Sequence, residues 1–193
     1  MRLCAGLAIS SLLPFLLLGW LNSAAAQTPS GHAGHVHTKT ATSSSAVAID
    51  GAVHPELISD QEAMTVFWIS IMEAPSAGDV ERNRFAAKTA ILNLNPDDKA
   101  LLWAAAQDFY TKFMPYREQA QQFADAAVGK RASTDPPLVI AQHRASVATA
   151  IDQLASNTHT GLLAKLSPTA AASFKTALAD VKTHMKIIPP PKM

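Results

Sequence analysis

Three histidines, His32, His35 and His37, come closest to a chemistry by type and spacing. The neutral imidazole nitrogen is a good ligand for Cu²⁺, Ni²⁺ and Zn²⁺, and three such rings on a pliable chain can wrap one of these ions weakly. The surrounding stretch 27–48, QTPSGHAGHVHTKTATSSSAVA, holds no thiolate or carboxylate that would close a tight site. A cut after Ala26 would leave no histidine third from the new terminus, so the compact amino-terminal copper site is not formed. A polar linker that happens to carry histidines explains the same residues without a ligand.

The other candidates lie further along. His143 falls on the apolar stripe of a helix, where a histidine in a bundle core could ligate haem or a metal. The chain has no Cys-x-x-Cys-His attachment motif, and a core histidine held by a hydrogen bond is the plainer reading. His184-Met185 and His159, the latter placed in a loop, would suit copper only if they met. Asp97-Asp98 form an acidic pair, but two acids in the first turn of a helix serve its dipole first. Trp68 and Trp103 could wall a pocket, yet their helical spacing marks them as core. Gly-x-Ser-x-Gly, His-Glu-x-x-His and phosphate-cradling glycine loops do not occur. The sequence thus argues against an enzyme, leaving only an acid/base pair assembled from distant residues.

Composition narrows the classes further. Residues 1–26 read as a secretory signal peptide: Arg2 supplies the charge, Leu12 to Leu21 the apolar run, and Ala24-Ala25-Ala26 the cleavage site. The run is too short for a permanent anchor, so no stable membrane attachment is expected after cleavage. The expected location is periplasmic or extracellular. The one cysteine, Cys4, leaves with that segment, which excludes disulfides, thiol nucleophiles and cysteine-held metals from the mature chain. Charge is nearly balanced, 16 Lys+Arg against 15 Asp+Glu, and scattered over helix faces; no basic patch points to nucleic acid or an anionic membrane.

The elements that must position these residues are helices. Residues 27–48 form a flexible, histidine-bearing tether, residues 49–188 the folded domain and residues 189–193 a proline-rich tail. After an Asp50-Gly51 turn, Ser59-Asp60-Gln61-Glu62 is a capping box that starts a first helix, apolar nearly all round, which stops near Pro75. A second helix spans about 78–92, with Val80, Phe85, Ala87, Ile91 and Leu94 inward. The third and longest runs from Asn95 to Lys130. Its stripe of Leu102, Ala105, Phe109, Phe113, Tyr116, Ala120, Phe123 and Ala127 steps by three and four residues. Pro115 within it predicts a kink. A fourth helix starts at Thr134-Asp135-Pro136-Pro137, carries Ile140, His143, Val147, Ala150 (or Ile151) and Leu154 inward, and ends over Ser156–Gly161. A fifth starts at Ser167-Pro168, with Ala171, Phe174, Leu178, Val181 and Met185 inward. No stretch has strand alternation. The expected fold class is all-α, an antiparallel bundle of four to five helices with one long kinked helix.

The opening IDGAVHPELISDQEAMTVFW, then LNPDD and LLWAAAQDFYTKF, resembles a group of uncharacterised secreted bacterial α-helical proteins with an Asp-Gly…Asn-Pro-Glu-Leu-Ile-Pro-Asp segment. His54 stands here for the asparagine and Ser59 for the second proline. The likeness covers most of residues 49–188 and implies a helical fold but no activity. A much weaker likeness is to periplasmic stress-chaperone and metal-sensor proteins with paired Leu-Thr-x-x-Gln motifs. Leu94-Asn95-Pro96-Asp97-Asp98 and Leu166-Ser167-Pro168-Thr169-Ala170 are similar to them but lack the glutamine; a leucine before a capped, proline-started helix accounts for both. Together these readings predict an exported, soluble, non-enzymatic binding or scaffolding protein without a cofactor, whose partner is an unknown protein or small molecule. The alternative is a metal-binding or metal-responsive protein holding Cu, Ni or Zn through His32, His35 and His37.

Overall fold

The computed structural model describes residues 48–127 and 136–187. The leader, the tether with its three histidines, Gly129, Thr134-Asp135 and the Pro189-Pro190-Pro191 tail lie outside the described residues. In chain order come a two-residue strand β1 (Ile49–Asp50), a 3₁₀ turn (Pro55–Leu57), α1 (Asp60–Ile71) and α2 (Asp79–Thr89). A second 3₁₀ turn (Ala90–Leu92), α3 (Pro96–Ala127), α4 (Pro137–Leu163), α5 (Pro168–Thr183) and the strand β2 (Lys186–Ile187) follow. The five helices pack on one another, so the all-α bundle is the fold.

The helix starts are built as the local sequence dictates. Ser59 accepts a hydrogen bond from the Glu62 N–H (3.1 Å), while the Glu62 carboxylate accepts one from the Ser59 N–H (3.0 Å), closing the capping box of α1. Asn95 accepts from the Asp98 N–H (2.8 Å) ahead of Pro96. Ser167 caps α5 by accepting from the Ala170 N–H (3.3 Å), with Pro168 in the first turn. Asn93 takes the left-handed conformation (φ 48°) that turns the chain from the 3₁₀ turn toward α3.

α1 is the central element. Ala63, Thr65, Phe67, Trp68 and Ile71 are buried, and Met64 and Ile69 pack against the core from its flanks. Trp68 stacks on Phe109 of α3 (5.7 Å between ring centres), and Phe67 meets Phe174 of α5 edge-on (5.5 Å). Along α3, Leu102, Ala106, Phe109 and Phe113 are buried, whereas Tyr116, Ala120 and Phe123 are only partly so. α3 is one unbroken helix across Pro115, whose ring sits on the exposed side.

Four expectations need correcting. α4 does not stop at Ser156–Gly161 but continues to Leu163. Gly161 is exposed and costs a helix about 1 kcal/mol, while burying a side chain such as Leu162 gains about 1.5–3 kcal/mol. The inward stripe of α4 keeps Ile140, Val147 and Ile151, but Arg144 and Ala155 take the places expected of His143 and Leu154. Ile140, Arg144, Val147, Ile151, Ala155 and Leu162 are buried and His143 is exposed, because four-residue steps dominate over the alternating ones. In α2 only Phe85 and Thr89 turn inward; Val80 and Ala87, and Ile91 in the 3₁₀ turn after it, face out, since this short helix offers one narrow face to Trp103. Finally, a strand pair exists where no strand was expected. Ile49 pairs with Ile187 and Asp50 with Lys186, antiparallel; two residues per strand are too few to show alternation.

This small pair is a clasp between the two ends of the folded domain. The Gly51 N–H donates to the Met185 carbonyl (2.8 Å), and Asp50 pairs with Lys186 (3.1 Å). Only a glycine fits at position 51, because a β-carbon there would stand 1.8 Å from the Lys182 carbonyl oxygen.

Candidate functional site

Among the described residues, those singled out from sequence do not converge. His143 stands exposed on α4 with its ring flat on Phe123 (5.1 Å between centres, 4° between planes), a surface stack rather than a core ligand position. His184 ends α5 exposed, its Nδ1 2.9 Å from the Asp180 carbonyl oxygen, and Met185 beside it is buried. His159 is not in a loop: it lies on the inward face of α4, 8% exposed. The acidic pair divides. Asp97 is exposed, but Asp98 is buried and its carboxylate accepts from the Ser167 N–H (3.0 Å), the Ser167 hydroxyl (2.7 Å) and the Asn95 amide (2.6 Å). It therefore joins the start of α3 to the start of α5, beyond any service to the dipole of its own helix. Trp68 is core, with an Nε1 that has no hydrogen-bond partner. Trp103 meets Phe85 edge-on (4.9 Å) with Arg82 over its face (5.3 Å). Among the described residues no three His, Cys, Asp or Glu side chains group to hold a metal ion.

The perturbed titratable groups lie elsewhere, mainly along the seam of α1, α4 and α5. Asp152 of α4 accepts a hydrogen bond from the Thr65 hydroxyl of α1 (2.8 Å). Burial pushes its carboxyl up from the ordinary range; the Thr65 bond opposes this and Glu62 adds to it. His159 follows seven residues later on the same helix. Its ring leans on Phe174 (6.1 Å between centres) and its Nδ1 is buried without a partner. Burial holds His159 below the ordinary 6.5 of imidazole, with Asp60 pulling the other way. Asp60 itself pairs with Lys182 of α5 (2.6 Å), which holds its carboxyl low. At the far end of α1, burial raises the buried Glu73, against Lys88 and Arg84.

An acid with raised affinity for its proton and a neutral histidine are the ingredients of acid/base chemistry. Their placement decides against a working pair. Seven residues along a helix separate the two by about 10 Å along the axis, and no hydrogen bond links them among the described residues. Each instead ties α4 to a neighbour. The usable signal was the seven-residue spacing of Asp152 and His159, which keeps both on one helix face; ending the helix at Ser156 hid it.

No helix among the described residues is long and apolar enough to cross a membrane. No family model, curated protein or solved structure matches the chain.

Proposed function

We propose that this is an exported helical protein that works by binding or scaffolding, with the far end of the α3–α4 hairpin as its working arm. The observation that carries this reading is a disparity in length and burial. α3 has 32 residues and α4 27, so they extend about 48 and 40 Å, whereas α1, with 12, covers about 18 Å and α5, with 16, about 24 Å. Beyond Phe113, no residue of α3 up to Ala126 is buried. A paired-helix arm on a well-packed base offers a long rigid surface for a protein partner, the mode by which helices commonly recognise one another. A non-enzymatic role is supported by the use made of the buried and half-buried polar groups: Asp98 with Ser167 and Thr65 with Asp152 join helices.

The test is recovery of partners on the purified protein, followed by rebinding of each to wild type and to Phe123→Asp. Loss of a partner with the arm variant, at unchanged helix content, supports the reading. Partners that bind both forms equally sink the arm as the working surface.

The second reading is metal capture by His32, His35 and His37, favoured by their spacing alone. Titration of residues 27–193 and 49–193 with Cu²⁺, Ni²⁺ and Zn²⁺ separates the two readings. Equal binding by both forms removes the tether from consideration.

A further inference from the structure

We propose that the junction of α1, α4 and α5 is an acid-sensing latch: protonation of His159 loosens its seam with α5 at Phe174 and so frees the clasp at the end of α5 that ties β1 to β2. The connection can be followed residue by residue. His159 is 8% exposed, wedged against Phe174, with an Nδ1 that meets no acceptor. A neutral imidazole tolerates that position; an imidazolium must bury a charge and an unpaired donor together. The charge that acts on the ring is Asp60 of α1, and its carboxylate is already taken by Lys182 of α5 at 2.6 Å. Lys175 of α5 also acts on Asp60. Asp152, two turns back on α4, is occupied by Thr65, and Glu62 of α1 by Ser59. A charged His159 therefore finds no free carboxylate, and the cost falls on its contact with Phe174 of α5. Lys182 is where the clasp is seated, because its carbonyl lies against Gly51 and the next turn holds the Gly51–Met185 bond.

The sign follows from burial. The folded form binds its proton on His159 less readily than the unfolded chain does. The contribution of His159 is therefore complete above pH 6.5 and is lost as pH falls below it. One proton limits the effect to about tenfold in the opening equilibrium per pH unit. Asp152 and Glu73 slope the opposite way, because their folded forms take up protons more readily, so the comparison must be made against a variant that changes only His159.

The test is amide exchange at Gly51, corrected for intrinsic exchange, from about pH 7.5 to about pH 5.5 in wild type and His159→Gln, beside the ring titration of His159 by NMR. The latch requires wild-type protection to fall with pH relative to the variant, by up to about tenfold per unit, and the ring to titrate below 6.5. Equal pH dependence in both proteins overturns it, as does a ring that titrates at or above 6.5. Should His159→Gln not fold, Gly51 exchange and the His159 ring in the wild type must share one midpoint; separate midpoints overturn it equally.

Discussion

The two ends of the α3–α4 hairpin are written in the same residue types and meet different surroundings. At the base, Leu102, Ala106, Phe109 and Phe113 are at most 1% exposed, because α1 closes over the groove and stacks Trp68 on Phe109. At the arm, Tyr116, Ala120 and Phe123 continue the stripe but are only partly buried, and Phe123 finds the imidazole of His143 as its flat neighbour. A stripe in three- and four-residue steps says that a helix has a partner. It does not say how many partners, and the number decides how much of each side chain leaves water.

The largest expected effect tests that difference directly. Phe109→Ala empties a fully enclosed site and should lower stability by about 3–5 kcal/mol, while Phe123→Ala, with one side open, should cost no more than about 1.5 kcal/mol. The urea midpoints of the two variants check this. Equal losses would mean that the arm is as well enclosed as the base and would remove the ground for treating it as a free surface.

Next come two changes confined to the base. Asp98→Asn keeps the shape but turns one carboxylate oxygen into a donor facing donors from Ser167 and Asn95; about 1–3 kcal/mol should be lost. Thermal unfolding of this variant beside Asp97→Asn measures it, with the exposed Asp97 expected to lose only a few tenths of a kcal/mol through the helix dipole. Gly51→Ala forces a methyl into the Lys182 carbonyl and should cost about 1–3 kcal/mol, read as faster exchange of the clasp amides. If Gly51→Ala leaves that exchange unchanged, the two ends of the domain are not held by the clasp.

What could be read in the sequence divides along the same line. Helix starts were legible because they are local: Ser59 with Glu62, Asn95 with Pro96, and Ser167 with Pro168 each carry their chemistry within four residues. The apolar class of the long helix was legible for the same reason. The rotation of α2 and α4 was not, because Val80 and Ile91 are as apolar as Phe85, and only the position of Trp103 decides which of them is covered. The bond between Thr65 and Asp152 spans 87 positions, and that between Asp98 and Ser167 spans 69, so nothing near any of the four residues announces it. His159 needed the end of α4 to be placed correctly before its burial could be seen.

The smallest effect turns on sign rather than size. Burial raises the Asp152 carboxyl above its ordinary 3.8, so the folded protein bears a cost for its charge at neutral pH. That cost falls as acid protonates the group, because the folded form takes up the proton more readily than the unfolded chain. Asp152→Asn removes the charge and leaves an oxygen that can still accept from Thr65 at the observed 2.8 Å. The variant should therefore be more stable than wild type near pH 7, by under about 1 kcal/mol, with the gain disappearing near about pH 3. Asp125 on the arm is the control, since its carboxylate accepts from Gln121 (2.9 Å) and an amide oxygen can do the same. Asp125→Asn should stay within about 0.5 kcal/mol of wild type at both pH values. Urea midpoints at the two pH values separate the outcomes. A destabilised Asp152→Asn at neutral pH would mean that the carboxylate is held by more than Thr65, and that the seam of the base relies on its charge instead of tolerating it.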